Sequence, residues 1–172
     1  MTAVILHLSD IHITRHPRLI AAATYSSLQL ASHVFVVVSG DIAYSGKPTE
    51  YALAEVFFNE IKKFIVSEKD VPVNFIIVPG NHDCDFTDET RMRQLAIKDI
   101  VESQNPIVDD SIIDQCTLVQ QHFFKHADAM HCQTGRKQDR LWNTFVFEIK
   151  GKNLAFDCLN VAWVSKKHEE QG

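Results

Sequence analysis

The sequence lacks the marks of several protein classes. Its four cysteines, Cys84, Cys116, Cys132 and Cys158, form no CxxC pair and no framework spacing. That argues against a disulfide scaffold and predicts reduced thiols. Basic excess is missing as well: 17 Lys and Arg stand against 22 Asp and Glu, for a net charge of −5. A duplex-binding protein normally carries a basic footprint, so nucleic acid is a disfavoured partner. A nuclease is weakened but not eliminated, because bound metals would make a site locally positive. No apolar run approaches a membrane span, and Met1-Thr2 leads directly into strand-like sequence without the basic flank and apolar core of a signal peptide. The expected compartment is the cytoplasm, with no membrane partner. Repeats, low-complexity tracts and linkers are absent too, so residues 1–172 read as one domain.

What the chain does have is one move made three times. Val4-Ile5-Leu6-His7-Leu8 runs into Ser9-Asp10-Ile11-His12, and Val34-Phe35-Val36-Val37-Val38 runs into Ser39-Gly40-Asp41. Phe75-Ile76-Ile77-Val78 breaks at Pro79-Gly80 and continues as Asn81-His82-Asp83. Apolar, β-branched runs predict strands buried on both faces, and open α/β sheets place their ligands at the carboxyl ends of such strands. Carboxylates, imidazoles and an amide gathered there are ligand types suited to hard or borderline divalent metals.

Between the junctions, residues 18–31 read as a helix with Pro17 at its start, and a second helix follows from an N-cap at Thr49 to about residue 66. Leu53, Phe57, Ile61, Phe64 and Ile65 are its expected sheet-facing side chains. The β-α-β-α-β order implies parallel strands with right-handed crossovers. Later, residues 88–103 read as a helix facing inward through Met92, Leu95, Ala96 and Ile100. Residues 111–130 read as another, with Ile112, Cys116, Val119, Phe123, Ala127 and Met130 inward. Strands at 145–149 and 154–159, joined through Lys150-Gly151-Lys152-Asn153, predict an antiparallel hairpin.

Asp10-x-His12, Gly40-Asp41 and Gly80-Asn81-His82-Asp83, in that order and each behind a strand, closely resemble the calcineurin-like metallophosphoesterases. The resemblance implies an α/β fold, a four-layer αββα sandwich of mixed sheets with the metals above the strand ends. It implies a dinuclear, metal-dependent phosphoesterase in which a metal-bridging hydroxide attacks a phosphomonoester or phosphodiester. Asp10 and His12 would ligate the first metal, Asp41 would bridge both, and Asn81 would ligate the second. His82 would act on the leaving group, oriented by Asp83. Two divalent ions about 3.5–4 Å apart need a bridging carboxylate to offset their repulsion, which fits Asp41. The ligands are oxygen and imidazole without thiolate, so manganese is the expected metal, with iron, zinc and nickel as alternatives. The family's later strand-end histidine and Gly-His-x-His segment have no counterpart in the sequence. The domain is therefore expected to be the N-terminal portion of a longer protein, incomplete at its C-terminus and followed by further domains.

Other readings compete at several positions. The second junction lacks the arginine of protein Ser/Thr phosphatases and the third has GNHD in place of their GNHE, so the chain is nearer to bacterial-type small-molecule or nucleotide phosphoesterases. An alternative is a regulatory or nucleotide- or partner-binding module of a larger protein. Tyr44 is similar to the metal-binding tyrosine of purple acid phosphatases, but His12 should fill that slot, leaving Tyr44 as a supporting residue. His7 is expected to be a hydrogen-bonded interior histidine. His122, His126 and His131 with Cys132 could suggest zinc, but a solvated helix face is the better expectation. Cys84 is expected to be structural, and the Lys62-Lys63 and Lys166-Lys167 pairs to be ordinary surface charge.

Overall fold

The computed structural model describes residues 2–12, 17–130 and 140–167. Strands β1 (Thr2–Leu8), β2 (Ala31–Ser39) and β3 (Val73–Val78) form a parallel sheet in the order β1-β2-β3. Their register matters more than their number: Leu8 pairs with Val38, Val38 with Ile77, and Ser39 with Val78. The carboxyl ends of all three strands therefore finish level. Residues 9–12, 40–43 and 79–83 emerge along one edge of the sheet.

One face of this sheet carries the main core. Val34, Val36 and Val38 on β2 and Phe75 and Ile77 on β3 pack under helix α3 (Pro48–Glu68), which contributes Ala54, Phe57, Phe58, Ile61 and Ile65. Burying each such side chain is worth about 1.5–3 kcal/mol, so this layer dominates the stability of the fold. The helix starts earlier than Thr49: Pro48 occupies its first turn, and the Glu50 carboxylate accepts the N–H of Lys47 at 2.8 Å. Its inward face is also turned from the expected one, since Leu53 is 59% exposed while Tyr51 and Phe58 are buried. The expected helix at 18–31 divides into α1 (Pro17–Ala23) and α2 (Tyr25–Leu28), and Ala31 already belongs to β2. At the break Thr24 turns its hydroxyl back onto the Ala21 carbonyl at 2.6 Å, a local bond that competes with helix continuation.

The opposite sheet face is covered at β2 by the predicted hairpin, β4 (Trp142–Ile149) and β5 (Lys152–Leu159), while Ile5 and His7 of β1 stay exposed. Phe35 of β2 meets Phe147 and Phe156 of the hairpin at 4.9 and 5.0 Å between ring centroids. The hairpin turn is only Lys150-Gly151, both at positive φ (48° and 73°), the pattern of a tight two-residue turn whose twist matches its strands. Helices, parallel sheet and antiparallel hairpin thus form three layers in a mixed α/β fold.

The remaining helices are α4 (Arg91–Glu102), α5 (Asp110–Thr117) and α6 (Gln121–Met130), with a short 3-10 turn at Leu118–Gln120 dividing the long helix predicted at 111–130. Cys116, Val119, Phe123 and Ala127 are buried as expected. Helix α4 is rotated relative to its predicted face: Met92 is 66% exposed and Arg93 is fully buried. Arg93 spends its donors inside the protein, on Glu89 at 2.6 Å, the Cys116 carbonyl at 2.9 Å, and the Trp163 and Ser165 carbonyls at 3.3 and 2.7 Å.

Candidate metal centre

The site is built where the three strands end. Asp10, His12 and Asp41 adopt positive φ, at 51°, 43° and 55°. Side chains other than Gly rarely take this region, and holding one there costs about 1–3 kcal/mol. Apart from these three, only Lys150 in the hairpin turn does so among the described non-glycine residues. Such strain persists only where surrounding bonds over-determine it, and here they do. The His12 N–H donates to the Asp41 carbonyl at 3.1 Å, and the His82 N–H donates to Asp41 Oδ1 at 3.0 Å. The second junction is thereby tied to the first and the third.

Two glycines permit this convergence. A side chain on Gly40 would press on the Gly80 backbone at 3.0 Å, and one on Gly80 would run into the Asp41 carboxylate at 2.1 Å. The turns carrying Asp41 and His82 can approach this closely only because neither residue has a Cβ.

One ligand atom each from His12, Asp41 and His82 lies within 4.8 Å of the others, a grouping that could hold a metal ion. The ring nitrogens are already sorted. His12 Nδ1 faces the Ala43 carbonyl at 3.2 Å, and His82 Nδ1 faces the Tyr44 carbonyl at 3.0 Å. A carbonyl can only accept, so each Nδ1 carries its proton and the neutral ring keeps its lone pair on Nε2. That is the usual arrangement of a metal-binding imidazole, backed by a carbonyl on its other nitrogen. The imidazole of His12 and the carboxylate of Asp41 suit a borderline divalent metal, so these donors fit, and the second imidazole, His82, stands beside them. The rings also brace one another: His12 meets His82 edge-on at 4.9 Å, and Tyr44 stacks on His82 at 5.4 Å. Tyr44 supports the site through this ring and its carbonyl.

A family model for calcineurin-like phosphoesterase matches residues 3–165, nearly the whole chain. The chain belongs to the calcineurin-like phosphoesterase family. Neither a curated protein nor a solved structure matches it significantly. The family hydrolyses phosphoesters with divalent metals, and His12, Asp41 and His82 come one from each of the three strand-end junctions. No helix among the described residues is long and apolar enough to cross a membrane.

Other predicted residues fall differently. Asp10 is exposed, takes a hydrogen bond from the Ser9 hydroxyl, and lies outside the three-residue grouping. Asn81 is exposed on the cavity beside His82. Asp83 does not orient His82, whose Nδ1 is taken by Tyr44. It is fully buried and accepts from the N–H groups of Ala43 (2.9 Å), Gly80 (2.9 Å) and Ile42 (3.2 Å), and from the Tyr51 hydroxyl at 3.0 Å. Burial pushes its carboxyl above the usual range, while the donors, led by Ala43 and Gly80, pull it back. Burial, and after it the Asp83 charge, raises the Tyr51 hydroxyl far above its ordinary value, so Tyr51 remains a donor. Asp83 is thus the clamp between the second and third junctions, with no contact to the reacting side of His82.

His7 is exposed, not interior, and its Nε2 bonds the Ser39 hydroxyl at 2.8 Å. Helix α6 does not present a solvated histidine face: His126 is buried against Tyr51 and Phe58, and His122 is half-buried. His131 and Cys132 lie outside the described residues. His122 does come together with Asp85 and Asp88, a second grouping of metal-ligand types. One oxygen of each carboxylate is already engaged, however. Lys47 Nζ lies 2.6 Å from Asp85 Oδ1, the Thr87 N–H donates to the same oxygen at 3.0 Å, and Gln121 donates to Asp88 at 2.7 Å. This cluster is an ion-paired buttress under the third junction. Cys116 and Cys158 are free thiols, and Cys84 is buried with its Sγ toward the Ala162 carbonyl at 3.8 Å, a structural position.

Proposed function

We propose that the chain hydrolyses a phosphoester, a monoester or a diester, at a pair of divalent metal ions held above the ends of β1, β2 and β3. The convergence of His12, Asp41 and His82 carries this reading, in a chain of phosphoesterase family. In this reading Asp10, His12 and Asp41 hold one ion, and Asp41 is shared with a second that Asn81 helps to hold. Manganese fits the oxygen and imidazole donors best, ahead of iron, zinc or nickel. Bound there, the metals supply a nucleophile by lowering the pKa of water and neutralise charge on the phosphoryl oxygens.

The protein's own part falls to His82. The Tyr44 carbonyl holds its Nδ1–H and the Tyr44 ring restricts its tilt, so Nε2 is aimed at the ligand grouping. As an imidazolium it donates the Nε2 proton to the leaving oxygen while the P–O bond breaks. Asp83 contributes by fixing the backbone of the second and third junctions. The same reading extends the three layers to a four-layer sandwich, with helices over the outer hairpin face where Trp142, Val146 and Leu159 are exposed, and it places the enzyme in the cytoplasm.

The test is His82→Ala, assayed with Mn²⁺ on an alkyl phosphate and on a nitrophenyl phosphate. The alkyl ester, which needs its leaving oxygen protonated, should lose kcat by roughly 10²–10⁴-fold. The nitrophenyl ester should lose much less, with metal content unchanged. Loss of metal from the variant would make His82 a ligand, and equal loss on both esters would remove its role as an acid.

A further inference from the structure

Tyr44 stands beside the metal centre with 67% of its surface exposed. A single exposed aromatic ring is ordinary on a protein surface, but this one is mounted with unusual care. Its N–H donates to Glu50 Oε1 at 3.1 Å, and its carbonyl takes the His82 Nδ1–H at 3.0 Å. The next residue is held by the same carboxylate: the Ser45 N–H and hydroxyl both donate to Glu50 Oε2, at 3.2 and 3.0 Å. Gly46 follows at φ 67°, and a Cβ there would lie 2.6 Å from the Asp85 nitrogen and from the Cys84 carbonyl carbon. The loop is thus seated on the third junction, with both polar backbone groups of Tyr44 fixed.

One side of the ring is in use. It stacks on His82 at 5.4 Å between centroids, with the planes 30° apart, and meets His12 edge-on at 5.7 Å. The ring also lines a cavity of about 510 Å³, together with Asn81, His82 and Phe86. That is the size of a small-molecule site, about 300–1,000 Å³. Phe86 is anchored as well, since the Arg93 guanidinium lies over its ring at 5.6 Å, within cation–π range. Two held aromatic rings therefore line the space beside His82. Tyr44 has only two side-chain torsions left to order when a ligand arrives, so a contact to its ring costs little entropy.

We propose that Tyr44 is a specificity-determining residue whose outer ring face stacks a planar aromatic ring carried by the leaving group. The proposal rests on the hydrolytic reading above, which puts the leaving oxygen at His82 Nε2. His82 belongs to both the ligand grouping and the cavity wall, so the leaving group departs past Tyr44. A ring stacked on Tyr44 lies about 4.5–7 Å from the Tyr44 centroid, on the side away from His82. A phenyl ring bonded directly to the leaving oxygen stays next to His82 and does not reach that far. The geometry calls for a spacer between oxygen and ring, as the pentose of a nucleoside provides. Stacking reads a π-face and not a pattern of donors, so the platform tolerates different bases.

Adenosine, which has no phosphate, probes the platform without metal or turnover. The full chain, kept metal-free with a chelator, is titrated with adenosine and followed by NMR chemical shifts, beside Tyr44→Leu and Tyr44→Phe. The control is Tyr25→Leu, which removes a ring 49% exposed that lines no part of the cavity. Loss of one base–aromatic stack weakens binding by about 5–150-fold. Tyr44→Leu should fall in that range, while Tyr44→Phe and Tyr25→Leu should match wild type. Wild-type affinity in Tyr44→Leu, the same loss in Tyr25→Leu, or no adenosine binding by wild type overturns the proposal. A second arm loads Mn²⁺ and compares a nucleoside 5′-phosphate with an alkyl phosphate. Tyr44→Leu should raise KM on the nucleotide by the same factor and leave KM on the alkyl ester unchanged. A fall in kcat shared by both esters, with KM unmoved, would make Tyr44 a brace for His82 alone and contradicts the platform. Should wild type hydrolyse neither ester, the hydrolytic reading fails, and the adenosine titration still decides the platform.

Discussion

Replacing Gly80 with alanine perturbs the centre at its tightest point. Gly80 sits at φ −103°, open to any residue, so the cost comes from contact and not from backbone strain. The new Cβ would lie 2.1 Å from Asp41 Oδ1, 2.6 Å from the Asp41 nitrogen and 2.7 Å from its Cγ. The carboxylate has to retreat by roughly 1 Å to reach the closest contact that packed atoms tolerate. Its bond from the His82 N–H, at 3.0 Å, goes with it. Overpacking of this kind costs about 1–3 kcal/mol, which in a domain of this size lowers Tm by about 2–12 °C. Displacing the carboxylate proposed to bind the metals should weaken Mn²⁺ binding by about 10–100-fold, as loss of an orienting contact does. Scanning calorimetry and Mn²⁺ titration on the same sample read both effects. Gly151→Ala is the control: at φ 73° with nothing within 4 Å, it carries left-handed strain of about 1–2 kcal/mol and should leave metal affinity unchanged. A Gly80→Ala protein with lowered Tm but wild-type Mn²⁺ affinity would refute the role given to Asp41, and one unchanged in both would refute the geometry.

Two further predictions concern the supports of the centre. Burial alone would raise the Asp85 carboxyl, but the Lys47 ammonium, the Thr87 hydroxyl and the Thr87 N–H outweigh it and hold the group below its ordinary value. A depressed carboxyl contributes stability above its unfolded pKa and loses it as pH falls through the folded one. Asp85→Asn should therefore be less stable than wild type at pH 7, with the gap closing below about pH 4, in urea titrations across that range. Arg93→Met would strand Glu89 and the Cys116, Trp163 and Ser165 carbonyls without their donor. Removing one partner of a buried ionic network costs about 3–5 kcal/mol, so the urea midpoint should fall sharply, and an unchanged midpoint would contradict the bonding described.

The parallel sheet was legible because its strands are unbroken apolar, largely β-branched runs. Burial on both faces holds for the central strand β2 and not for β1, which leaves Ala3, Ile5 and His7 exposed. The ligand types were legible because they stand directly behind those runs. What escaped the sequence is non-local. Arg93 reads as an outward residue in any periodicity count, and it is inside because carbonyls from two distant segments meet there. Met92 and Leu95 were then assigned to the wrong side of α4. The family resemblance made Asp83 the partner of His82, but its acceptors are needed by backbone N–H groups at Ile42 and Ala43, some forty positions away. His126 looked like half of a solvated pair, and Tyr51 and Phe58 draw it into the core. The close Gly40–Gly80 approach did have a sequence signal, since each glycine directly precedes a ligand-bearing turn.

The central claim is that Asp41 joins the metals to the chemistry, and Asp41→Asn tests it most directly. The substitution keeps the shape of the side chain and removes its charge. Mn²⁺ titration calorimetry on wild type and variant, with phosphoester turnover measured on the same preparations, gives the answer. The account predicts that the variant loses metal and turnover together. An Asp41→Asn protein that binds Mn²⁺ as wild type does and turns over at the full rate would contradict it.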